Sequence, residues 1–341
     1  MMDVKSAMMA LHQALVGFEQ DPEWQACMSL AESKNRWFDA DSIAQSLSQW
    51  RASTGLNMAE AWAQRYPSSE LHEGRLGVIM AGNLPLVGMH DLICGVLSGY
   101  RVIAKRSSDD EELPQFWLKK AAEFDSIWND RIEWASQLKD LQAAIATGNN
   151  QTAQHFAHFF RNIPHLIRHN RSSIAVLSGN ESPAELLALG QDVFSYYGLG
   201  CRSVSKLYVP QGYSFEKLLP VWEPVYNRLA LHHKYVNNYH YHKALLLMNL
   251  DPHIDAGYLV LKEREALHAP VGMLNYEFYE DIDSLRQQLI ELQDEWQCVV
   301  SQLPELDMAI PFGQAQCPGL FDFADGVDTV AWLQENAPKA L

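Results

Sequence analysis

The sequence predicts an α/β protein centred on a parallel, doubly wound sheet, and three observations carry that prediction. From Gly74 onward, short apolar runs rich in β-formers alternate with stretches whose apolar residues recur at helical spacing. Two of these runs pass into glycine-bearing turns, MAG and IATG, and the third into the polar loop KRSS. The alternation itself demands parallel pairing, because parallel strands are joined through helical crossovers.

In chain order, residues 1–72 read as helices, with apolar positions three and four apart through Ser42 to Trp62. RLGVIMAG is strand-like, VGMHDLICGVLSG helix-like and YRVIAK strand-like; a helical pattern spans Glu111 to Phe124. DLQAAIATG reads as a further strand and NNQTAQHFAHFF as its helix. SSIAVLS is a strand, PAELLALGQDVFSYYG a helix and KLYVP a strand, followed by a helical Phe215 to His232. KALLLMN and GYLVLKE read as paired strands, DIDSLRQQLIELQDEW as an amphipathic helix and CVVS as a last strand. No internal repeat or low-complexity linker interrupts the chain. Open parallel sheets bind ligands beyond the carboxyl ends of their strands, which singles out the residues after MAG, IAK and IATG.

Composition narrows the function classes. At 341 residues the chain can bury a full core, with 48% hydrophobic and 20% charged residues as in an ordinary globular protein. Lys and Arg total 26 against 42 Asp and Glu, a formal charge of −16, so the surface as a whole repels nucleic acid and anionic membrane. The amino-terminal stretch is broken by Asp3, Lys5 and His12, and no apolar run is long enough to span a bilayer. Five cysteines without CxxC spacing fit free thiols in a reducing cytoplasm.

One short segment holds the functional question. In SYYGLGCRSVSKLYVP, Cys201 lies between a glycine pair and Arg202, directly before an apolar strand. Lone cysteines are commonly packing residues. Gly198 and Gly200 begin a partial GxGxxG, but this one follows a helix, and Ser203 stands at the third glycine position. Against the packing reading, Gly200 lets another molecule approach the backbone, Arg202 favours thiolate, and the strand behind offers a rigid support.

Taken in order, five motifs resemble the aldehyde dehydrogenase superfamily, and most closely its LuxC-type acyl-CoA reductase branch. AGNLP (Ala81 to Pro85) resembles WNFP; VIAKRSS (Val102 to Ser108) resembles VVLKPSE; IATGNNQTA (Ile145 to Ala153) resembles FTGSTEVG. GLGC resembles GQxC, and PFGQAQCPG (Pro311 to Gly319) resembles the late PFGGxKxSG loop. The resemblance spans about Gly74 to Leu333 and implies a parallel Rossmann-type cofactor sheet plus an α/β catalytic domain. The expected division is a helical segment 1–72, a dinucleotide-binding domain 73–176, a catalytic domain 177–300, and a segment 301–341 returning to the cleft or to a subunit interface.

The same resemblance implies the roles of residues. Cys201 is the expected nucleophile, and Asn83, with the Cys201 amide, the expected oxyanion donor. Lys105 is expected on the adenosine ribose; Gly82, Ser107, Thr147, Gly148 and Asn149 line the nucleotide, the last three at a helix N-terminus. Arg106 replaces a proline of the pattern and suits a 2′-phosphate, so NADPH is the expected cofactor, with NADH as the alternative. The partner implied is an acyl-CoA or other acyl thioester, and the assembly a homo-oligomer.

The departures shape the reaction expected. VLSGN (Val176 to Asn180) is aligned with ELGG, which puts Leu177 or Ser178 where aldehyde-oxidising members carry a water-activating glutamate. EALHAPVG only loosely follows EEIFGPV, and Ala153 stands where the third motif ends in glycine. The expected reaction is NAD(P)H-dependent reduction of an acyl thioester to an aldehyde through an acyl-cysteine. The alternatives are a cysteine acyltransferase or thioesterase that ignores the nucleotide, and a scaffold that keeps only the fold. The histidines of HHKYVNNYHYHK match no metal pattern and read as packing or substrate rim. Asp322, Asp325 and Asp328 lack calcium-loop spacing and read as a turn, and Cys298 reads as core.

Overall fold

A computed structural model describes residues 2–66, 70–148 and 150–336 of the chain. It divides into two units, Met1–Asn170 with Gly319–Leu341, and Arg171–Pro318. The cut thus falls at 170/171 rather than after Val176, because SSIAV pairs with strands of the second sheet. Residues 319–336 belong to the first unit.

In the first unit four helices come first: α1 (Val4–Gln13), α2 (Pro22–Lys34), α3 (Ala40–Ser53) and α4 (Leu56–Arg65). Asp3, Asp21 and Asp39 cap the first three by accepting backbone N–H bonds from the opening turn. Within the helical pattern of Ser42 to Trp62, α3 ends at Thr54 and α4 starts at Gly55, their respective caps. Next come β1 (Arg75–Ile79), α5 (Met89–Leu97), β2 (Arg101–Lys105), α6 (Glu112–Ala122), α7 (Ile127–Asp130) and β3 (Ile132–Trp134). They are followed by β4 (Ala143–Thr147), α8 (Asn150–Phe159) and β5 (His165–Arg168).

The five strands pair in parallel in the order β3-β2-β1-β4-β5. β1, β2 and β4 have buried centres, as strands covered on both faces must. One apolar cluster gathers residues of α1 to α6 with Leu320, Phe323, Val330 and Leu333. A smaller one joins Ile103, Leu138, Ala144, Ala146 and Phe160. Three buried tryptophans satisfy their indole N–H groups on carbonyls of the first helical region: Trp128 on Ala7 at 2.8 Å, Trp117 on Leu11 at 3.0 Å and Trp24 on Ala14 at 2.9 Å. Strand order reverses between β1 and β4, so the crevice at a topological switch point opens where MAG and IATG leave the sheet.

The second unit runs β6 (Ser172–Val176), α9 (Pro183–Phe194), β7 (Val204–Pro210), α10 (Leu219–Trp222), α11 (Tyr226–Leu231) and α12 (His233–Met248). It continues with β8 (Ile254–Asp255), β9 (Val260–Glu263), β10 (Met273–Tyr279), α13 (Ile282–Glu291) and β11 (Trp296–Val300). The sheet order is β11-β6-β7-β10-β9-β8, parallel except for the β8–β9 pair. A capping box between Ser182 and Glu185 starts α9. KALLLMN corrects the expectation of a strand: it is the end of α12, which His232 caps by accepting the Tyr235 amide. Its leucines face both ways, with Leu246 buried and Leu245, Leu247 and Met248 exposed.

Candidate active site

In the first unit the three sequence motifs meet at the carboxyl ends of β1, β2 and β4. Gly82 follows β1 and lies against the loop after β2: a Cβ placed on it would stand 2.4 Å from both Cβ and Oγ of Ser107 and 3.0 Å from the Asp110 amide. Only glycine permits that approach. Asp110 braces the same turn, since its buried carboxylate accepts the amide of Leu86 at 2.6 Å. Leu86 is left-handed, with φ of 61°, a strained setting for a leucine. Burial pushes the Asp110 carboxyl up to about 7, and its other oxygen, Oδ1, has no hydrogen-bond partner.

On this frame Asn83 is exposed. Lys105 ends β2, also exposed, and lines a cleft of about 630 Å³ with Ile79, Leu138, Lys139, His155, Phe156 and Phe159. Phe159 exposes 66% of its surface, which is apolar area for a planar ligand to cover. Gly148 closes the same end of the sheet. A Cβ there would meet Thr152 Oγ1 at 2.3 Å and Phe156 at 3.0 Å, so the start of α8 packs directly on its backbone. Thr147 is the last residue of β4 and half-buried. Asn149 lies outside the described residues. An apolar cleft with a lysine at its rim and side-chain-free turns at strand ends fits a dinucleotide.

Arg106 has two neighbours in the fold. Its guanidinium pairs with Glu111 at 3.0 Å and lies over the Trp134 ring at 5.4 Å. Arg168, which no sequence motif singles out, is buried at the end of β5. It donates to Asp91 at 2.9 Å, Thr329 at 2.7 Å and the Ala324 carbonyl at 2.6 Å. The aspartates of the late turn have structural partners, as their reading as a turn anticipates. Asp322 accepts the Gly319 amide, and Asp328 caps the last helix, Thr329–Glu335, while accepting Tyr66 and Arg65.

In the second unit Cys201 lies half-buried in a turn between α9 and β7. The turn is tightly wound: Tyr196 and Tyr197 have φ of 51° and 61°, and Gly198 and Gly200 have φ of 77° and 92°. Two tyrosines in the left-handed region cost on the order of 1 kcal/mol each or more. Packing offsets the cost, for the Tyr197 ring lies 4.0 Å from that of His232 and under the Arg228 guanidinium.

A chain of hydrogen bonds fixes the turn. Ser173 donates to the Cys201 carbonyl at 2.9 Å and stands 3.1 Å from the Cys298 sulfur. Ser203 donates to the Leu199 carbonyl at 2.6 Å and accepts the Gln316 amide at 2.9 Å. Arg202 donates through Nε to the Ala315 carbonyl at 2.5 Å, so the late PFGQAQC segment and the cysteine turn are docked together. Asp192, fully buried on α9, accepts the amides of Gly313 at 2.6 Å and Ala315 at 2.9 Å. Burial pushes its carboxyl up to about 6, while the two amides and Arg202 pull the other way. Sequence reasoning missed Asp192, because its partners lie more than a hundred residues on.

One expectation is overturned. Leu177 and Ser178 leave the carboxyl end of β6, whereas the Cys201 turn bonds to Ser173 near its amino end. Four residues of strand separate Ser173 from Leu177, about 13 Å at 3.3 Å each, so position 177 or 178 is not where a base for Cys201 would stand. Leu177 is fully buried, and Ser178 instead forms a turn around Glu181, whose carboxylate accepts three bonds from Ser178 and Gly179. At the start of the EALHAPVG segment, the Glu265 carbonyl and that of Arg264 just before it accept the amine of buried Lys206, which also pairs with Glu277 at 2.8 Å. Among the described residues no group of three or more His, Cys, Asp or Glu is placed to hold a metal, and no helix is long and apolar enough to cross a membrane.

No family model matches this sequence, and no curated protein matches it. Solved structures do. Aldehyde dehydrogenase 21 from Physcomitrella patens, in complex with its reaction product succinate, aligns at a TM-score of 0.63 with 8% identity, covering 98% of this chain and 84% of its own. Aldehyde dehydrogenase KauB from Pseudomonas aeruginosa aligns at 0.61 with 13% identity, covering 89% and 73%. A Mycobacterium tuberculosis aldehyde dehydrogenase complexed with NAD+ aligns at 0.58 with 10% identity, covering 84% and 70%. With so little shared sequence these alignments speak to architecture: the chain has an aldehyde dehydrogenase-like fold.

Proposed function

We propose that this protein is an oxidoreductase that uses a nicotinamide dinucleotide to reduce an acyl-CoA, or another acyl thioester, to an aldehyde. The observation that carries the reading is the hydrogen-bond network around Cys201. It presents a half-buried thiol on a strained turn, and the carboxylate it contains among the described residues, Asp192, is spent on two backbone amides. A thiol can attack an acyl carbon there, and Asp192, held by two backbone amides, is not placed to activate water on the acyl-enzyme.

In this reading the Cys201 sulfur attacks the thioester carbonyl carbon, and coenzyme A leaves as its thiolate. The Cys201 amide and the Asn83 side chain are the donors assigned to the oxyanion. The bound nicotinamide supplies the hydride that the acyl carbon accepts. Collapse of the resulting hemithioacetal breaks the carbon–sulfur bond, releasing aldehyde and freeing Cys201. Lys105, Gly82, Ser107, Thr147, Gly148 and Asn149 are assigned to the nucleotide. NADPH is the form proposed: Glu111 takes one edge of the Arg106 guanidinium, whose five N–H donors leave others for a 2′-phosphate. The LuxC-type reductases are the branch this chemistry favours, and a homo-oligomer is the proposed assembly.

The test is a long-chain acyl-CoA with NADPH, following the absorbance of the reduced nucleotide and trapping the aldehyde. Consumption that disappears in Cys201→Ala supports the reading. Free acid or acyl transfer without nucleotide consumption refutes it.

A further inference from the structure

Ala315, fully buried, is gripped through both of its backbone polar groups. Its N–H goes to Asp192 on α9 and its carbonyl accepts from Arg202, the residue after Cys201. On either side of it, Gly313 donates its amide to the same carboxylate and Gln316 donates its side chain to Ser203. Four hydrogen bonds thus run from one buried carboxylate, through residues 313–316, to the two residues that follow Cys201. Gly313 is left-handed, with φ of 83°, and a Cβ on it would meet the Ala188 Cβ at 3.2 Å, so the segment lies close on α9.

We propose that Asp192 is a positioning residue for Cys201, setting the orientation of the cysteine turn through Ala315. The carboxylate does not act on the reacting atoms. It fixes the segment against which Arg202 and Ser203 are registered. A neutral helix residue of the same size would fill the space, so burying a charge at this point is accounted for by the two amides it must accept. Although burial raises the Asp192 carboxyl, it is still largely ionised at neutral pH, the form that accepts both bonds.

The decisive experiment measures amide hydrogen exchange in the intact chain for Asp192→Ala, Asp192→Asn and Gln316→Ala. If the inference holds, Asp192→Ala removes protection at Gly313 and Ala315 and also at Leu199 and Ser203, whose amides bond within the cysteine turn to Tyr196 and Gly200. Asp192→Asn, which keeps one acceptor, gives an intermediate loss. Gln316→Ala loosens Ser203 without touching α9. Loss confined to residues 313–316, with Leu199 and Ser203 unchanged, overturns the inference; should Asp192→Ala not fold, the same comparison is made on the other two variants. A second arm rests on the proposed reductase activity: kcat falls about 10-fold or more while KM for nucleotide stays within about twofold. An unchanged kcat in a folded Asp192→Ala with loosened turn overturns the positioning role. Absence of turnover in the wild-type chain refutes the reductase reading and leaves the exchange result to decide this one.

Discussion

The contact between Gly82 and Ser107 offers a sharp test of how the turns after β1 and β2 hold each other. In Gly82→Ala the new Cβ stands 2.4 Å from both Cβ and Oγ of Ser107. Carbon atoms pack at about 3.5–4.0 Å, so the turns must part by about 1 Å. Ser107 cannot escape by rotating, because its Cβ is fixed to the backbone. Overpacking of this kind costs about 1–3 kcal/mol, which urea unfolding resolves as a lower midpoint at unchanged slope. Asn83 moves with its neighbour, and if it donates to the oxyanion as proposed, a displacement of about 1 Å lowers turnover about 10²-fold. Ser107→Gly removes both offending atoms and leaves the Asp110 amide at 3.0 Å, so the double variant recovers most of the midpoint. Such coupling between touching residues is about 0.5–3 kcal/mol in a double-mutant cycle. Additive effects, or a Gly82→Ala midpoint equal to wild type, would refute the packing argument.

Asp110 makes stability depend on pH. Its folded carboxyl is raised to about 7 from 3.8, so its contribution is fully present below about pH 4 and lost as pH rises through about 7. At about 1.4 kcal/mol per pH unit this amounts to about 4 kcal/mol, and Asp110→Asn flattens the urea-derived profile across that window; a parallel profile counts against it. Lys206→Met strands Glu277 and two carbonyls and lowers stability by about 3 kcal/mol by the same assay, whereas a change below about 1 kcal/mol would mean that the buried amine is not the partner holding them. On the proposed function, Lys105→Ala raises KM for nucleotide far more than for acyl donor, and equal changes count against its assignment to the ribose. Arg106→Ala raises KM for NADPH by about 10-fold and leaves that for NADH unmoved; equal effects on the two would remove Arg106 from the 2′-phosphate.

The strands that the sequence made legible have apolar runs between turn residues: RLGVI, RVIAK, AAIAT, SSIAV, the run into KLYVP, GYLVLKE and CVVS, whereas β10, MLNYEFY, was not read as a strand. β3 and β5 escaped because IEW and HLIR are short and carry charge or histidine. KALLLMN failed for a different reason, since an unbroken apolar run has no periodicity to separate strand from helix, and the cap that settles it, His232, lies eleven residues upstream. The tight glycine positions at Gly82, Gly148 and Gly200 could be singled out in the sequence because a glycine at a strand end or sharp turn has a local cause. Asp110, Asp192 and Arg168 act across the fold on partners that only tertiary structure supplies. The misplacement of Leu177 and Ser178 had the same origin, as motif order alone does not say which end of a strand a loop leaves.

The first unit is assembled from both ends of the polypeptide, whereas the second is one continuous stretch. During synthesis, therefore, residues 171–318 are made before the segment from Gly319 that completes the first unit. Until Ala324 and Thr329 emerge, the Arg168 guanidinium has Asp91 but not its other two acceptors, and a cation that is 3% exposed in the finished protein must remain hydrated.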